Sequence, residues 1–267
     1  MMQKRGSFSL TEHSQIDRPS IVVVIPARYD SSRFPGKPLA PIAGRPMIQH
    51  VVERAKMSRR ASRVVVATDD DRIRTAVAAF GGESIMTRRE HHSGTERIAE
   101  VAVHLPGEIY VNVQGDEPLI SAEAIDTAVD EILGDAETQV ATLCVPISHA
   151  AEIMDPNIVK VVLNFDGDAL YFSRAPIPWV RDAGERVSAR HFKHIGLYVF
   201  RRDALLEFPA LPPGELERLE QLEQLRWLEN SYHIRVAECT YEGIAVDTPA
   251  DIAKVEEALR SRRSAAS

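Results

Sequence analysis

Residues 21–38 read Ile21-Val-Val-Val-Ile25-Pro26-Ala-Arg-Tyr-Asp-Ser-Ser-Arg-Phe-Pro-Gly-Lys37-Pro38. The run begins with five β-branched aliphatic residues, a pattern typical of a strand buried on both faces of a parallel sheet. Two prolines and a glycine follow, at Pro26, Pro35 and Gly36. Because proline lacks a backbone N–H and glycine favours turns, the sequence predicts a buried strand that ends in an irregular loop.

The predicted loop carries three cations, Arg28, Arg33 and Lys37. Open α/β sheets bind ligands at the carboxyl ends of their strands, where this loop would lie. A cluster of like charges at that place favours an anionic ligand, with phosphate as the natural candidate. The alternative is a solvated basic loop without a ligand. The loop is not a Walker A sequence, because Pro38 stands where that motif requires Ser or Thr.

Composition limits the class of protein. The 267 residues suffice for one large α/β domain or two small ones. A net charge of −7 without a long basic run argues against nucleic acid or an anionic membrane as a partner. No apolar run reaches the roughly 20 residues that span a bilayer, and no signal-peptide core is present. Cys144 and Cys239 lie in apolar runs, as buried thiols of a reduced protein do. We therefore expect a cytoplasmic protein.

Strand and helix patterns alternate after the loop. Residues 47–55 and 71–80 have helical periodicity, and residues 64–67 and 83–86 are strand-like. This alternation predicts a doubly wound, mostly parallel sheet with helices on both faces. Residues 159–173 predict a hairpin that either extends this sheet or forms a smaller β-rich subdomain. Further on, a leucine stripe predicts one helix over residues 213–228, and the last helix is predicted to end near Arg260.

Acidic residues lie at two places where predicted secondary-structure elements end or begin. Asp116 and Glu117 follow a strand-like run at residues 109–113. A carboxylate at that place, beside a cationic loop, could hold Mg²⁺ against phosphates, whereas an acidic turn without a metal is equally compatible with the pattern. Asp247 directly precedes Thr248, the predicted N-cap of the last helix.

Polar residues before one helix allow two interpretations. Ser93 and Glu96 match a capping box, so this turn is either a helix cap or a binding turn. The adjacent His91 and His92 do not favour zinc, since structural zinc sites need four converging ligands.

One predicted strand, residues 193–200, places polar aromatic groups together. His194, Gly196 and Tyr198 share one face of it. Spacing alone favours an ordinary sheet surface over a binding site.

Several of these motifs resemble those of 3-deoxy-manno-octulosonate cytidylyltransferases, also called CMP-Kdo synthetases. The resemblance runs from about Ser20 to about Leu259 and includes the loop Pro26–Leu39. The other matching motifs are Ser93–Arg97, Gln114–Pro118, the His-x-Gly-x-Tyr strand His194–Tyr198, Leu222–Arg226 and Gly243–Asp251.

The resemblance implies transfer of CMP from CTP to the sugar acid Kdo, giving CMP-Kdo and pyrophosphate for lipopolysaccharide synthesis. It implies the fold of nucleotide-diphospho-sugar transferases, Mg²⁺ as cofactor and a homodimer formed near residues 172–190. The implied domain limits are an N-terminal extension at 1–19, a cytidylyltransferase domain at 20–261 with a sugar-binding and dimerisation insertion at about 159–200, and a polar tail at 262–267.

The resemblance also assigns site residues. The catalytic set is Arg28, Lys37, Asp116 and Asp247, of which Asp116 and Asp247 would bind the metal. The nucleotide-binding set is Ala27, Arg28, Ser31, Ser32, Arg33, Lys37, Ser93, Gly94, Thr95 and Gln114. The sugar-binding set is Arg174, His194, Tyr198, Glu223 and Gln224.

The sequence disfavours three alternative functions. A CMP-sialate-type synthetase is disfavoured by Tyr29 and residues 31–35, and a hexose-phosphate nucleotidyltransferase by the lack of a glycine-rich loop after Ala27. A non-catalytic nucleotide-binding module is disfavoured because Lys37, Asp116 and Asp247 are all retained. An analogue of Kdo with an amino group at a distal carbon remains a possible acceptor.

Overall fold

The computed structural model describes residues 19–30, 34–182, 190–241 and 243–265. Most of the predicted N-terminal extension, residues 1–18, lies outside this range. The strands, numbered in chain order, are β1 Ile21–Ala27, β2 Pro41–Ile42, β3 Arg45–Pro46, β4 Arg63–Thr68, β5 Ser84–Met86, β6 Ile109–Asn112, β7 Val140–Pro146, β8 Lys160–Leu163, β9 Ala169–Ser173, β10 Phe192–Arg201 and β11 Ile234–Glu238. The helices are α1 Met47–Ala55, α2 Asp71–Ala79, α3 Gly94–His104, α4 Ala122–Gly134, α5 Ala150–Met154, α6 Arg202–Glu207, α7 Glu215–Glu220, α8 Gln224–Glu229 and α9 Pro249–Ala265.

A nine-stranded mixed sheet forms the centre of the molecule, with its main path in the order β11-β7-β10-β6-β1-β4-β5. β1 pairs in parallel with β4 and β6, and its residues Ile21–Ile25 are at most 3% exposed. β10 runs antiparallel to both of its main neighbours, β6 and β7. The predicted mostly parallel sheet is confirmed; along its main path β10 runs against its neighbours, and the hairpin strand β9 also pairs antiparallel.

Helices cover both faces of the sheet, as predicted. Val23 and Ile25 of β1 belong to a core formed with α1, α2 and α4. Val22 and Val24, which point to the opposite face, belong to a core formed with α3, α6 and α8. Strand β1 is therefore buried on both sides, which explains why its sequence is a continuous aliphatic run.

The predicted hairpin is present as β8 and β9, which pair antiparallel. β8 also pairs with the start of β10, where Phe192 lies opposite Val161. The hairpin subdomain thus extends the main sheet through hydrogen bonds, rather than standing apart from it.

One predicted helix is wrong in extent. Residues 213–228 form two short helices, α7 and α8, because Gln221 between them adopts a left-handed backbone with φ of 52°. The leucine stripe accordingly divides: Leu219 is 68% exposed, whereas Leu225 is fully buried. The break places Glu223 at the start of α8, where it faces α3.

Two further features concern the ends and the cysteines. Helix α9 continues to Ala265, beyond its predicted end near Arg260. Both cysteines are free thiols, and burial raises the pKa of Cys144 to about 12. Within the described ranges, no helix combines the length and apolarity needed to cross a lipid bilayer.

Candidate active site

The loops after β1 and β6 meet at one edge of the sheet, because these two strands are parallel neighbours. A Cβ atom at Gly115 would lie 2.8 Å from the carbonyl oxygen of Pro26, which is closer than a side-chain carbon tolerates. Glycine is therefore required for the loop after β6 to pass against the end of β1. This contact brings the predicted cationic loop beside the predicted acidic motif.

Lys37 joins the two predicted metal-binding aspartates. Its Nζ lies 2.7 Å from Oδ2 of Asp116 and 3.7 Å from Oδ1 of Asp247. The side chains of Lys37, Asp116 and Asp247 are 16%, 30% and 47% exposed, so a ligand in solvent can reach them. The structure thus brings together three residues that the sequence predicted to act as one group, although they lie far apart in the chain.

A third acidic residue, Glu117, lies at this place. The hydroxyl of Tyr241 donates a hydrogen bond of 2.9 Å to Oε2 of Glu117. Burial is the main factor that raises the pKa of Glu117 to about 7; the bond from Tyr241 opposes the increase, and the charges of Asp116 and Asp247 add to it. Glu117 and Tyr241 therefore belong to the same electrostatic environment as the aspartates.

The donor groups of this site fit Mg²⁺. Among the described residues, no three His, Cys, Asp or Glu side chains converge to hold a metal on their own. Asp116 and Asp247 supply two carboxylates, however, and Mg²⁺ is commonly bound by one or two carboxylates together with substrate phosphates and water. The Lys37 ammonium between them marks a position that favours positive charge.

Arg28, the residue after β1, is anchored to the segment that precedes α3. Its half-buried guanidinium donates to the backbone carbonyl of His91, and the His91 ring contacts the Glu100 carboxylate on α3. On the other side of the loop, the Arg72 guanidinium lies 3.2 Å from the centroid of the Tyr29 ring. The loop after β1 is therefore fixed to α3 through Arg28 and to α2 through Tyr29.

Three residues of the predicted nucleotide-binding set, Ser31, Ser32 and Arg33, lie outside the described residues, and their roles remain predictions. Ala27 is the last residue of β1 and is buried. Gln114 follows β6, and its Nε2 donates to Oδ1 of Asn112 at 3.2 Å.

The start of α3 contacts the start of α8. Ser93 is the N-cap of α3, with its Oγ accepting a bond of 3.1 Å from the Glu96 N–H, and Gly94 is the first residue of the helix. The Thr95 hydroxyl donates to Oε1 of Glu223. Burial raises the pKa of Glu223, whose Oε2 is buried without a hydrogen-bond partner among the described residues. A cavity of about 890 Å³ opens beside Ser93 and Glu223.

The predicted sugar-binding pair lies on β10. The rings of His194 and Tyr198 are 5.3 Å apart, and His194 Nε2 lies 2.9 Å from the Thr142 hydroxyl. Burial lowers the pKa of His194 to about 3, so its imidazole is neutral near pH 7. Tyr198 lies opposite Asn112 of β6, next to the loop that carries Asp116. Gln224 is buried at the start of α8.

Arg174 has a different environment from the one predicted. Its guanidinium donates to the backbone carbonyls of Glu220, Pro156 and Gln221, at 2.7, 2.9 and 3.3 Å. These bonds tie the end of β9 to the end of α7. A role for Arg174 as counter-charge to a sugar carboxylate stays a prediction, and it requires these bonds to be exchanged.

The motifs indicate Asp116 at a strand end beside the cationic loop, but they do not indicate which residues contact its neighbour Glu117. The Tyr241–Glu117 bond joins residues 124 positions apart, and no motif spacing indicates it. The carbonyl of His91 was likewise missed, because a backbone acceptor has no sequence signature. A signal was available for Glu117, which stands beside Asp116 at a strand end.

Comparisons with known proteins agree on one family. The family model described as cytidylyltransferase matches residues 22–235. The 3-deoxy-manno-octulosonate cytidylyltransferase of Geobacter sulfurreducens is 51% identical over 249 residues, which span 90% of this chain and 100% of that protein. The enzyme of the same name from Syntrophotalea carbinolica is 53% identical over 247 residues, 90% of this chain and 99% of that one.

A solved structure extends the likeness to three dimensions. The CMP:2-keto-3-deoxy-manno-octonic acid synthetase complexed with CTP matches with a TM-score of 0.87 and 49% identity, covering 91% of this chain and 99% of that chain. On these similarities, the chain belongs to the 3-deoxy-manno-octulosonate cytidylyltransferase family.

Proposed function

We propose that this protein transfers CMP from CTP to the anomeric hydroxyl of 3-deoxy-D-manno-octulosonate (Kdo), with release of pyrophosphate. The observation that carries the proposal is the position of Lys37 between Asp116 and Asp247, at the sheet edge where the β1 loop presents its cations. Membership in the family supports CTP and Kdo as the two substrates.

The reaction makes and breaks one bond at phosphorus. The sugar hydroxyl oxygen attacks the α-phosphorus of CTP and loses its proton, while the bond from that phosphorus to pyrophosphate breaks in line. Such a transfer depends on alignment and on neutralising the phosphate charge, with little covalent work by the protein. Lys37 and Arg28 would neutralise that charge, and Arg33 is the predicted third cation.

Asp116 and Asp247 would hold Mg²⁺ against the phosphates. When bound, Mg²⁺ neutralises phosphate oxygens and orients the reacting groups. On the nucleotide side, Ala27, Gln114 and the turn Ser93–Thr95 would hold cytidine.

Polar groups on β10 and α8 support a site for a polyhydroxylated acid. The neutral His194 imidazole and the Tyr198 hydroxyl offer a donor or an acceptor to sugar hydroxyls. The unpartnered Oε2 of Glu223 offers an acceptor beside the cavity at the start of α3. Gln224 would complete this set.

Pyrophosphate release tests the function directly. The assay contains CTP, Mg²⁺ and one sugar acid from a panel of Kdo, a Kdo analogue with an amino group at a distal carbon, and N-acetylneuraminate. We expect turnover with Kdo, and loss of turnover in the matched variant Asp247→Asn. Preferred turnover of N-acetylneuraminate would instead identify a CMP-sialate-type enzyme. CTP binding without turnover of any acid would identify a non-catalytic module.

The homodimer and the cytoplasmic location remain predictions. Trp179, within the predicted dimer region, and Met154, which lines the same pocket, are 71% and 65% exposed, and this supports an interface there. Light scattering of the purified protein measures the oligomeric state, and a monomeric mass at micromolar concentration would exclude the dimer.

A further inference from the structure

The chain must cross the sheet to place Asp247 beside Asp116. Asp247 belongs to the segment 239–248, described at residues 239–241 and 243–248, which follows β11, whereas Asp116 follows β6. In the sheet, β7 and β10 lie between β11 and β6, so the segment crosses about 14 Å at the usual strand spacing. A connection of this kind needs specific contacts to place one carboxylate beside another.

Hydrogen bonds hold the segment at its two ends. At its far end, the Val246 N–H donates to the Asp116 carbonyl at 2.9 Å, and the Asp251 carboxylate accepts the N–H groups of Asp247 and Thr248 at 3.3 and 3.0 Å. At its near end, the Tyr241 hydroxyl donates to Glu117 at 2.9 Å. Glu117 is the neighbour of Asp116, so both ends are fastened to the same acidic motif.

We propose that Glu117 and Tyr241 are positioning residues: their hydrogen bond fixes the segment 239–248 so that Asp247 faces Asp116. Neither residue needs to contact the substrate for this role. The inference rests on the proposed function, because it assigns to Asp247 a part in metal binding.

Packing around the bond supports this role. Tyr241 is only 6% exposed, and its ring belongs to the core on the face of α1 and α4. A Cβ atom at Gly243 would lie 2.5 Å from Oε2 of Glu117 and 2.8 Å from the Tyr241 hydroxyl. The backbone of the segment therefore passes directly against the hydrogen bond, and it can do so only with a hydrogen in place of a side chain.

Metal binding without nucleotide or sugar is the main test. Titration calorimetry with Mn²⁺ on the full chain measures metal affinity, and CTP binding in the presence of EDTA measures nucleotide affinity separately. We expect Tyr241→Phe, which removes one hydroxyl, to weaken Mn²⁺ binding by roughly tenfold, as the loss of one charge-assisted hydrogen bond would, and to leave metal-free CTP binding within about twofold. Gly243→Ala should also weaken Mn²⁺ binding.

The matched control is Tyr232→Phe. Tyr232 also donates its hydroxyl to a glutamate, Glu207, but on α6 and away from this segment. Its loss should leave Mn²⁺ affinity unchanged. Thermal unfolding of each variant shows that the folded proteins are being compared, and Gly243→Ala provides a second measurement if Tyr241→Phe does not fold.

A double-mutant cycle decides whether the effect acts through Asp247. In an Asp247→Asn background, Tyr241→Phe should cause no further loss of Mn²⁺ affinity. An equal loss in both backgrounds, or wild-type metal affinity in Tyr241→Phe, would overturn the proposal. The metal titration contains no sugar acid, so its outcome does not depend on which acceptor the protein uses or on whether it turns over. Failure of the proposed function can therefore be distinguished from failure of the positioning role.

Discussion

Replacing Lys37 should strengthen the binding of Mg²⁺ to the free protein while it abolishes efficient catalysis. In the structure the Lys37 ammonium lies between Asp116 and Asp247, the position that a metal would share. An ammonium and Mg²⁺ cannot both be close to the same two carboxylates without repulsion. The lysine would therefore compete with a metal bound at the two carboxylates until the substrate phosphates attract it instead.

The distances give the size of this competition. At 2.7 and 3.7 Å, a water-like dielectric gives roughly 1.5 and 1 kcal/mol of attraction between Lys37 and the two carboxylates. Because the aspartates are 30% and 47% exposed, water hydrates their carboxylates once the ammonium is removed, and this reduces the net free-energy change. A net free-energy difference of about 1.4 kcal/mol remains. It corresponds to a dissociation constant for Mg²⁺ that is about tenfold lower in Lys37→Met than in the wild type.

Calorimetric titration with Mg²⁺, without nucleotide, measures the effect. Lys193→Met is the matched control, because Lys193 also pairs with a partly buried carboxylate, Glu152, at 3.1 Å. In the complete assay, Lys37→Met should lower kcat by about a hundredfold or more, since a cation for the transferred phosphate is lost. Unchanged or weaker Mg²⁺ binding in Lys37→Met would show that the two aspartates do not form the metal site.

The remaining predictions concern other parts of the site. Asp116→Asn and Asp247→Asn should each lower kcat by about a hundredfold or more with little change in Tm; near-normal turnover in either removes it from the metal site. In the unfolded chain His194 binds a proton below about pH 6.5. In the folded protein its pKa is lowered to about 3, so it stays neutral in this range. The wild type should therefore lose about 2 kcal/mol more stability than His194→Gln between pH 7.5 and 5 in urea unfolding; parallel losses would mean that His194 is protonated in the fold. Arg174→Ala should cost about 1–3 kcal/mol of stability through its carbonyl bonds. A raised KM for the sugar acid at unchanged stability would place Arg174 at the substrate instead.

Local chemistry made much of this fold predictable. The aliphatic run of β1 requires burial on both faces, and Ser93, Asp70 and Ser121 cap the helices that their side chains suggest. The sequence did not predict the antiparallel placement of β10 between β6 and β7, since the pairing of distant strands depends on the whole sheet.

The errors have local physical causes as well. The periodic leucines of residues 213–228 predicted one helix, but Gln221 adopts a left-handed conformation that ends α7. The Glu229 carboxylate then accepts the N–H groups of Leu216 and Glu217, folding α8 back onto the start of α7. A hydrogen bond between a side chain of one helix and backbone groups of the other is not visible in the periodicity of either helix.

The reversed direction of β10 has a consequence for how acceptor choice can change. The loops after β1 and β6 carry Lys37 and Asp116, whereas His194 and Tyr198 lie within β10, whose pairing with β7 has a bulge between Ile195 and Tyr198. The residues proposed to bind the triphosphate and those on β10 proposed to face the acceptor thus come from separate stretches of chain. Under the proposed roles, substitutions confined to the hairpin and to β10 should change acceptor selectivity and leave the phosphate-binding loops intact, so acceptor recognition and phosphate binding could evolve independently.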